Sequence, residues 1–148
     1  MDNQYAYNKR AKFDYQLLDK YEAGIKLRGY EVKSIKNKTA SLQGSFVIIR
    51  GGEAYITNMQ VPPYQEMNIP GDYDASRPRK LLLHKKEIEE LERKLQQKGL
   101  TLVPIKLYNK GGLVKLEFAL AKGKKKADKR ETIKKREDDR KMRRSLKN

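Results

Sequence analysis

The sequence contains no cysteine and no tryptophan, and it has one histidine among its 148 residues. Without cysteine the chain can form no disulfide, no thiolate zinc site and no cysteine nucleophile. The neighbours of the lone histidine, His84, form neither a metal-ligand pattern nor a catalytic triad. We therefore expect no metal, no cofactor and no catalytic residue, and a protein that is not an enzyme.

Long apolar runs are missing as well. No stretch approaches the roughly 18 residues that a membrane-spanning helix requires. The segment from Met1 to Asn8 is polar and aromatic, and it lacks the apolar core of a secretion signal. We expect a cytoplasmic protein that has no membrane partner.

Acidic side chains are too few to balance the basic ones. Lys and Arg number 35 against 19 Asp and Glu, which gives a formal net charge of +16. Residues 122–148 hold 14 of the basic and 5 of the acidic side chains, a net charge of +9, with almost no core-forming residues. Such a surplus indicates a polyanionic partner. We divide the chain into a folded domain, residues 1–122, and a basic C-terminal tail, residues 123–148, that is disordered when free.

The folded domain has the pattern of a mainly β protein. Alternating apolar side chains predict a strand from Phe13 to Leu27. The paired glycines at 51–52 and 111–112 each stand between two apolar runs and predict two hairpins. Pro104 cannot donate to a strand ladder, so its strand is expected to be bulged there or to lie at an edge.

Helices and a long loop separate the predicted strands. An apolar stripe of helical spacing predicts a helix from Lys85 to Lys98 that Gly99 ends, and a shorter helical turn is predicted from Glu31 to Lys36. Met59 to Pro78 holds four of the five prolines and is predicted to be a loop. At least five strands with few helices predict a small closed or partly open β-barrel flanked by helices, with a half-open sandwich as the alternative.

The tail has a weak helical pattern of its own. Acidic residues precede basic ones by one helical turn in the pairs Glu131 and Lys135, Glu137 and Lys141, and Asp139 and Arg143. Each such pair contributes only about 0.2–0.5 kcal/mol, and an unsupported helix of this length is marginal in water. We expect the tail to fold when a polyanion neutralises it. A solubilising tail without a specific partner is the alternative.

Six short segments occur in a specific order along the chain. They are Asn8-Lys9-Arg10-Ala11, Tyr21-Glu22-Ala23-Gly24, Gly29-Tyr30-Glu31-Val32-Lys33-Ser34, Arg79-Lys80-Leu81-Leu82-Leu83-His84, Ala121-Lys122-Gly123-Lys124-Lys125 and Asp128-Lys129-Arg130. Their order and spacing resemble the small protein B family, the SsrA-binding proteins that partner transfer-messenger RNA. The resemblance runs over nearly the whole chain from Asn8 onward.

The resemblance implies a fold and a function. The fold is a β-barrel of the oligonucleotide-binding type with helices around it. The implied function is that of a monomeric RNA-binding adaptor of trans-translation, which binds the tRNA-like domain of transfer-messenger RNA and helps to deliver it to stalled ribosomes. The tail is implied to enter the vacant messenger channel near the decoding centre and to become helical there.

The resemblance and the charge pattern together name two sets of site residues. The first set is predicted to bind RNA through Asn8, Lys9, Arg10, Glu22, Lys33, Leu82, His84, Lys124 and Lys125. The second set is predicted to bind the ribosome through Gly123, Asp128, Lys129, Arg130, Lys134, Arg136, Lys141 and Arg143. Ala127 stands where an aromatic or histidine residue is expected, and the tail lacks a tryptophan, so weaker tail affinity is expected.

Glu22 is an unexpected residue in an RNA-binding set, because its negative charge opposes phosphate. A carboxylate is useful there only if it accepts a hydrogen bond from a base edge or orients a basic side chain. Two alternative functions stay open for the chain. One is a ribosomal or general single-stranded RNA-binding barrel protein, and the other is an RNA-processing enzyme, which would need an acid–base or metal cluster that the sequence does not display.

Overall fold

Seven strands and three helices build the body of the protein in this computed structural model, which describes residues 3–64, 69–124, 130, 133–137 and 140. The strands are β1 (Gln4–Tyr7), β2 (Tyr15–Ile25), β3 (Phe46–Arg50), β4 (Glu53–Thr57), β5 (Arg79–Leu82), β6 (Leu100–Lys110) and β7 (Leu113–Gly123). The helices are α1 (Ala11–Asp14), α2 (Gly29–Lys36) and α3 (Lys85–Leu95). No helix among the described residues is both long and apolar enough to cross a bilayer.

The strands pair into one antiparallel sheet that closes on itself. Their order is β1-β6-β3-β4-β5-β2-β7, and β6 pairs with β7 as well. The pairing of β6 with β7 joins the two ends of the series from β6 to β7, so these six strands form a ring, as a barrel requires. The mainly β fold with flanking helices is therefore confirmed.

Both predicted hairpins are present. Gly51 and Gly52 join β3 to β4 with φ of 60° and 75°, and Gly111 and Gly112 join β6 to β7 with φ of 60° and 80°. Two consecutive residues with positive φ are what a two-residue turn between twisted strands needs. The register of β6 against β7 shifts between Pro104 and Lys106, which confirms the predicted bulge.

The strand predicted from Phe13 is wrong at both ends. Phe13 lies in α1, because the side-chain oxygen of Asn8 accepts a hydrogen bond from the Arg10 N–H (3.3 Å) and the Asp14 N–H donates to the Arg10 carbonyl (2.9 Å). These bonds close a helical turn before β2 begins. Leu27 lies beyond the end of β2.

The predicted helices are also present, with changed bounds. The helix predicted from Lys85 to Lys98 ends at Leu95, because the chain turns at Gln96 and Gln97 before Gly99, where φ is +85°. The turn predicted from Glu31 to Lys36 is the C-terminal part of α2. The sequence did not predict β1 or β5.

The closed sheet surrounds the main apolar core, and Ala11, Val103 and Ala121 form a second, smaller cluster. The fully buried members of the main core include Ile35, Leu42, Ile56, Leu81, Leu91, Leu102, Leu107, Leu116 and Phe118. Side chains of α2 and α3 reach this core together with inward-facing residues of the strands, so both helices close the barrel rather than form a separate layer.

A buried ion pair fastens β5 to α2. The side chains of Arg79, the first residue of β5, and Glu31, in the first turn of α2, are both fully buried, and Arg79 Nε lies 2.6 Å from Glu31 Oε2. The same carboxylate also accepts from the side chain of Arg77 (2.5 and 3.1 Å), the Arg28 N–H (2.8 Å) and the Tyr73 hydroxyl (3.3 Å). A buried charge is tolerated only when it is satisfied in this way.

Arg79 also organises the loop predicted from Met59 to Pro78. Its guanidinium donates to the carbonyls of Met59 (2.8 Å) and Ala75 (3.0 Å), at the two ends of that segment. The described residues of the segment, 59–64 and 69–78, belong to no named strand or helix, so the loop is confirmed for them.

Burial and hydrogen bonding act in opposite directions on Glu31. Burial raises the pKa of the Glu31 carboxyl, but the hydrogen bonds from Arg77, the Arg28 backbone and Arg79 outweigh burial and leave this pKa below its ordinary value. Glu31 is therefore ionised in the folded protein, and its ionised form stabilises the native state.

We expect Glu31→Ala to lower the free energy of unfolding by about 3–5 kcal/mol, because it leaves the Arg79 charge buried without its partner. Glu53→Ala is the matched control. It breaks the ion pair between Glu53 and Lys80, whose side chains are 44% and 42% exposed, and should cost less than about 1 kcal/mol. Urea unfolding measures both, and equal losses in the two variants would contradict this account.

The lowered pKa of Glu31 also predicts a pH dependence. The stabilisation by its ionised form should be complete above the unfolded-state pKa of about 4.3 and should disappear as the pH falls through the lower folded-state pKa. The difference in unfolding free energy between the wild type and Glu31→Gln should therefore shrink on acidification. A difference that grows as the pH falls would contradict the assigned direction.

Candidate nucleic-acid interface

The structure separates the predicted RNA-binding residues of the body into groups that do not meet. Glu22 lies on β2 and Leu82 on β5, near the point where β2 ends. Lys9, Arg10 and Lys124 lie where β2 begins, since the Lys124 N–H donates to the Asp14 carbonyl (2.9 Å). The seven residues of β2 between these places span roughly 20 Å at about 3.3 Å per residue.

A row of four residues crosses the outside of the barrel at the Glu22 end of β2. Leu82 pairs with Gly24, Gly24 with Lys115, and Lys115 with Tyr108. Leu82 is 56% exposed, which is unusual for a leucine in a strand. A Cβ at Gly24 would lie 3.4 Å from Leu82 Cδ1 and 3.6 Å from Lys115 Nζ, so the side chains of Leu82 and Lys115 both lie close to Gly24.

Glu22 lies one row away from Leu82, and its side chain links β2 to β6 across β7. The Tyr108 hydroxyl, on β6, donates to Glu22 Oε2, and Lys110 Nζ, also on β6, lies 3.0 Å from Glu22 Oε1. The strand β7 runs between them, and its Glu117 lies 3.9 Å from Lys106 Nζ. We call the outward side chains of Glu22, Leu82, Lys106, Tyr108, Lys110 and Lys115 the barrel face.

The hydrogen bonds within the barrel face fix its protonation states. Those from Tyr108 and then Lys110 hold the pKa of the Glu22 carboxyl below its ordinary value. Burial and then the bond to Glu22 raise the pKa of the Tyr108 hydroxyl. At neutral pH Glu22 is therefore charged and Tyr108 is a donor. The barrel face thus offers three ammonium groups, an aromatic ring and an exposed leucine, which suit phosphates and unpaired bases.

His84 and Lys33 are exposed outside the barrel face as we define it. His84 immediately precedes α3, and its backbone N–H donates to the Glu87 carboxylate (3.1 Å). Lys33 lies on α2. His84 follows Leu82 by two residues, so it can extend a surface that includes Leu82.

Asn8 differs from its neighbours in the N-terminal segment. It is 7% exposed, and its side-chain amide donates to the Pro104 carbonyl (2.9 Å). Its own N–H donates to the Ile105 carbonyl (2.7 Å). These bonds fasten the segment to the bulge of β6 and leave Lys9 and Arg10 as its exposed cations, and contact between Asn8 and RNA stays a prediction.

Two arginine side chains contact the ring of Phe13, just before β2 begins. The Arg10 guanidinium lies 4.5 Å from the centre of the Phe13 ring and the Arg136 guanidinium 5.7 Å from it. Arg10 is also paired with Asp14 (3.2 Å). Arg136, in the middle of the tail, therefore lies close to Arg10 of the predicted RNA-binding segment at the N-terminus.

Only part of the tail belongs to the described residues. Gly123 ends β7, and Arg130, Lys134 and Arg136 are exposed and helical, as are the other described residues of 133–137 and residue 140. Lys125, Ala127, Asp128, Lys129, Lys141 and Arg143 lie outside the described residues. That the tail is unfolded in the free protein stays a prediction.

Four residues of the barrel face were not predicted from the sequence to bind RNA. They are Lys106, Tyr108, Lys110 and Lys115. A signal for them exists, because Lys106, Tyr108 and Lys110 alternate with the core residues of β6 and therefore point outward together. Their partner Glu22 lies more than 80 residues earlier in the chain. Only the strand order brings these residues together.

Comparisons with known proteins agree with one another. A family model described as SmpB protein matches residues 5–148. A protein of Thermosipho africanus named SsrA-binding protein is 52% identical over 143 residues, covering 96% of this chain and 95% of the relative. A Mycoplasma mycoides protein of the same name is 53% identical over 134 residues, covering 90% of each chain.

A solved structure shares the fold. It is described as "tmRNA-SmpB: a journey to the center of the bacterial ribosome", and its matching chain is 46% identical in sequence. The match has a TM-score of 0.66 and covers 81% of this chain and 84% of that one. Within the described residues, no group of three or more histidine or acidic side chains could hold a metal ion.

Proposed function

The chain belongs to the SmpB protein family, and from this we propose that it is an RNA-binding adaptor of trans-translation. It binds the tRNA-like domain of transfer-messenger RNA and helps to deliver that RNA to stalled ribosomes. The relatives named SsrA-binding protein and the solved assembly of SmpB with tmRNA support this proposal. In this role the protein acts in the cytoplasm by binding, and we assign it no reaction of its own.

The barrel face is the observation that carries the assignment of a surface to the tRNA-like domain. It combines Lys106, Lys110 and the ring of Tyr108 on β6 with Lys115 on β7 and the exposed Leu82 on β5. Cations at several strand positions can follow a phosphate backbone, and a ring and an exposed leucine can pack against bases or riboses. A rigid surface of this kind suits a folded RNA better than a flexible single strand.

The other end of β2 and the tail form the part that we assign to the ribosome. Lys124 lies at the start of the tail, and the Phe13 ring is contacted both by Arg10 and by Arg136 of the tail. The tail also contains the exposed Arg130 and Lys134. We propose that this basic part enters the vacant messenger channel near the decoding centre and becomes a stable helix there. The formal charge of residues 122–148 is enough to hold such a segment against ribosomal RNA through counterion release.

Deletion of residues 127–148 should separate these two activities. The truncated protein should keep its affinity for the tRNA-like domain, because the barrel face is intact, and should lose peptide tagging on stalled ribosomes.

Glu22→Arg should instead abolish tight binding of the tRNA-like domain while the protein stays folded. Gel-shift titration and a reconstituted tagging reaction measure the two activities.

A competition experiment supplies the control. At physiological salt the protein should prefer the tRNA-like domain over a random single strand of equal length. Equal affinity for the two would favour a general single-stranded RNA-binding protein. If the truncation instead removed RNA binding and left tagging intact, the division between barrel face and tail would be wrong.

A further inference from the structure

We propose that Glu22 is a positioning residue, which acts by holding Tyr108 and Lys110 where these two residues contact the RNA. The inference rests on the proposed function and deepens it. It chooses between the two roles that a carboxylate can have on such a surface, a direct contact to a base edge and the orientation of a neighbouring side chain. It also makes Tyr108 and Lys110 determinants of affinity for the tRNA-like domain.

The Glu22 carboxylate is already occupied by contacts within the protein. Tyr108 donates to Oε2, and Lys110 Nζ lies 3.0 Å from Oε1 and 3.3 Å from Oε2. An ionised carboxylate offers about four acceptor sites. Three contacts within the protein therefore leave little capacity for a base, and a base that bound Glu22 would have to compete with an ammonium group.

The negative charge of Glu22 also favours a positioning role. An unpaired carboxylate on a surface that meets phosphates would weaken binding, whereas one paired with Lys110 adds no net charge. The Lys110 side chain is 64% exposed, and long exposed side chains lose much rotamer freedom when a ligand fixes them. Glu22 fixes Lys110 before the RNA arrives, so less freedom is lost on binding.

The bond to Glu22 also sets the direction of the Tyr108 ring. Tyr108 is on β6 and Glu22 is on β2, with β7 between them. Neighbouring strands are about 4.8 Å apart, so the contact spans roughly 9–10 Å across the sheet. A tyrosine whose hydroxyl reaches over a whole strand lies along the barrel surface and does not stand up from it. The side chain is partly exposed, and the Lys106 ammonium lies over the ring, 5.3 Å from its centre, so the ring and a cation are presented together.

A second trio of the same residue types provides an internal comparison. The Tyr55 hydroxyl donates to Glu53 Oε2 (2.6 Å), and Lys80 Nζ donates to Glu53 Oε1 (2.9 Å). Here Glu53 and Tyr55 are two residues apart on β4, so the tyrosine does not reach across a strand. The chemistry is matched and the ring geometry differs, which makes Glu53→Ala a control for the removal of a paired carboxylate.

The test is a double-mutant cycle on the full-length protein with the isolated tRNA-like domain as ligand. We expect Glu22→Ala to weaken binding at least tenfold although it removes a negative charge, and Tyr108→Phe and Lys110→Met each to weaken it. In the Tyr108→Phe, Lys110→Met background, Glu22→Ala should change the Kd less than twofold, because the residues through which it acts are gone. Glu22→Gln, which keeps an acceptor oxygen, should recover part of the affinity, and Glu53→Ala should leave the Kd unchanged.

Two results would overturn the inference. If Glu22→Ala costs the same factor with and without Tyr108 and Lys110, Glu22 contacts the RNA itself; if Glu22→Ala tightens binding, it merely repels phosphate. In either case the proposed function would still hold if the wild type prefers the tRNA-like domain over a random strand. Absence of that preference in the wild type would instead reject the proposed function.

Lys110→Met should also lower the slope of log Kd against log salt by roughly one. Loss of the fold would not produce this change in slope.

Discussion

The buried pair of Arg79 and Glu31 is the interaction on which the architecture depends. Arg79 begins β5, the short strand that closes the ring between β4 and β2, and Glu31 anchors it to α2. Four residues of strand then carry the chain from a fully buried arginine to Leu82, which is 56% exposed beside Gly24. A stabilising contact inside the barrel thus sets the position of an exposed side chain on its outside.

The sequence predicted those parts of the fold whose signals are local. The two double glycines specify tight turns by themselves, and the stripe of α3 is visible within one segment, so both hairpins and this helix were predicted. In contrast, β5 contains a charged residue that is buried, and the partner that makes this possible lies 48 residues earlier in the chain. Phe13 was assigned to a strand because alternation alone cannot detect the hydrogen bond of Asn8 that starts α1.

The site was predictable to a similar degree. Glu22 and Leu82 came from the family resemblance, and the charge of the tail came from composition. Tyr108 and Lys110 could not be joined to Glu22, because their contact depends on the order of β2, β7 and β6 in the ring. The bond of Asn8 to the bulge of β6 was not predicted either, because its partner, the Pro104 carbonyl, lies 96 residues later in the chain.

The account as a whole assigns the folded RNA to one side of the barrel and the ribosome to the end where the tail begins. Mapping of backbone and side-chain NMR shifts in the full-length protein, on addition of the tRNA-like domain, tests this assignment most directly. The account predicts that the largest changes fall on outward residues of β2, β5, β6 and β7, including Tyr108 and Lys110. Changes confined to Lys9, Arg10, Lys124 and the tail, with the barrel face unaffected, would contradict it.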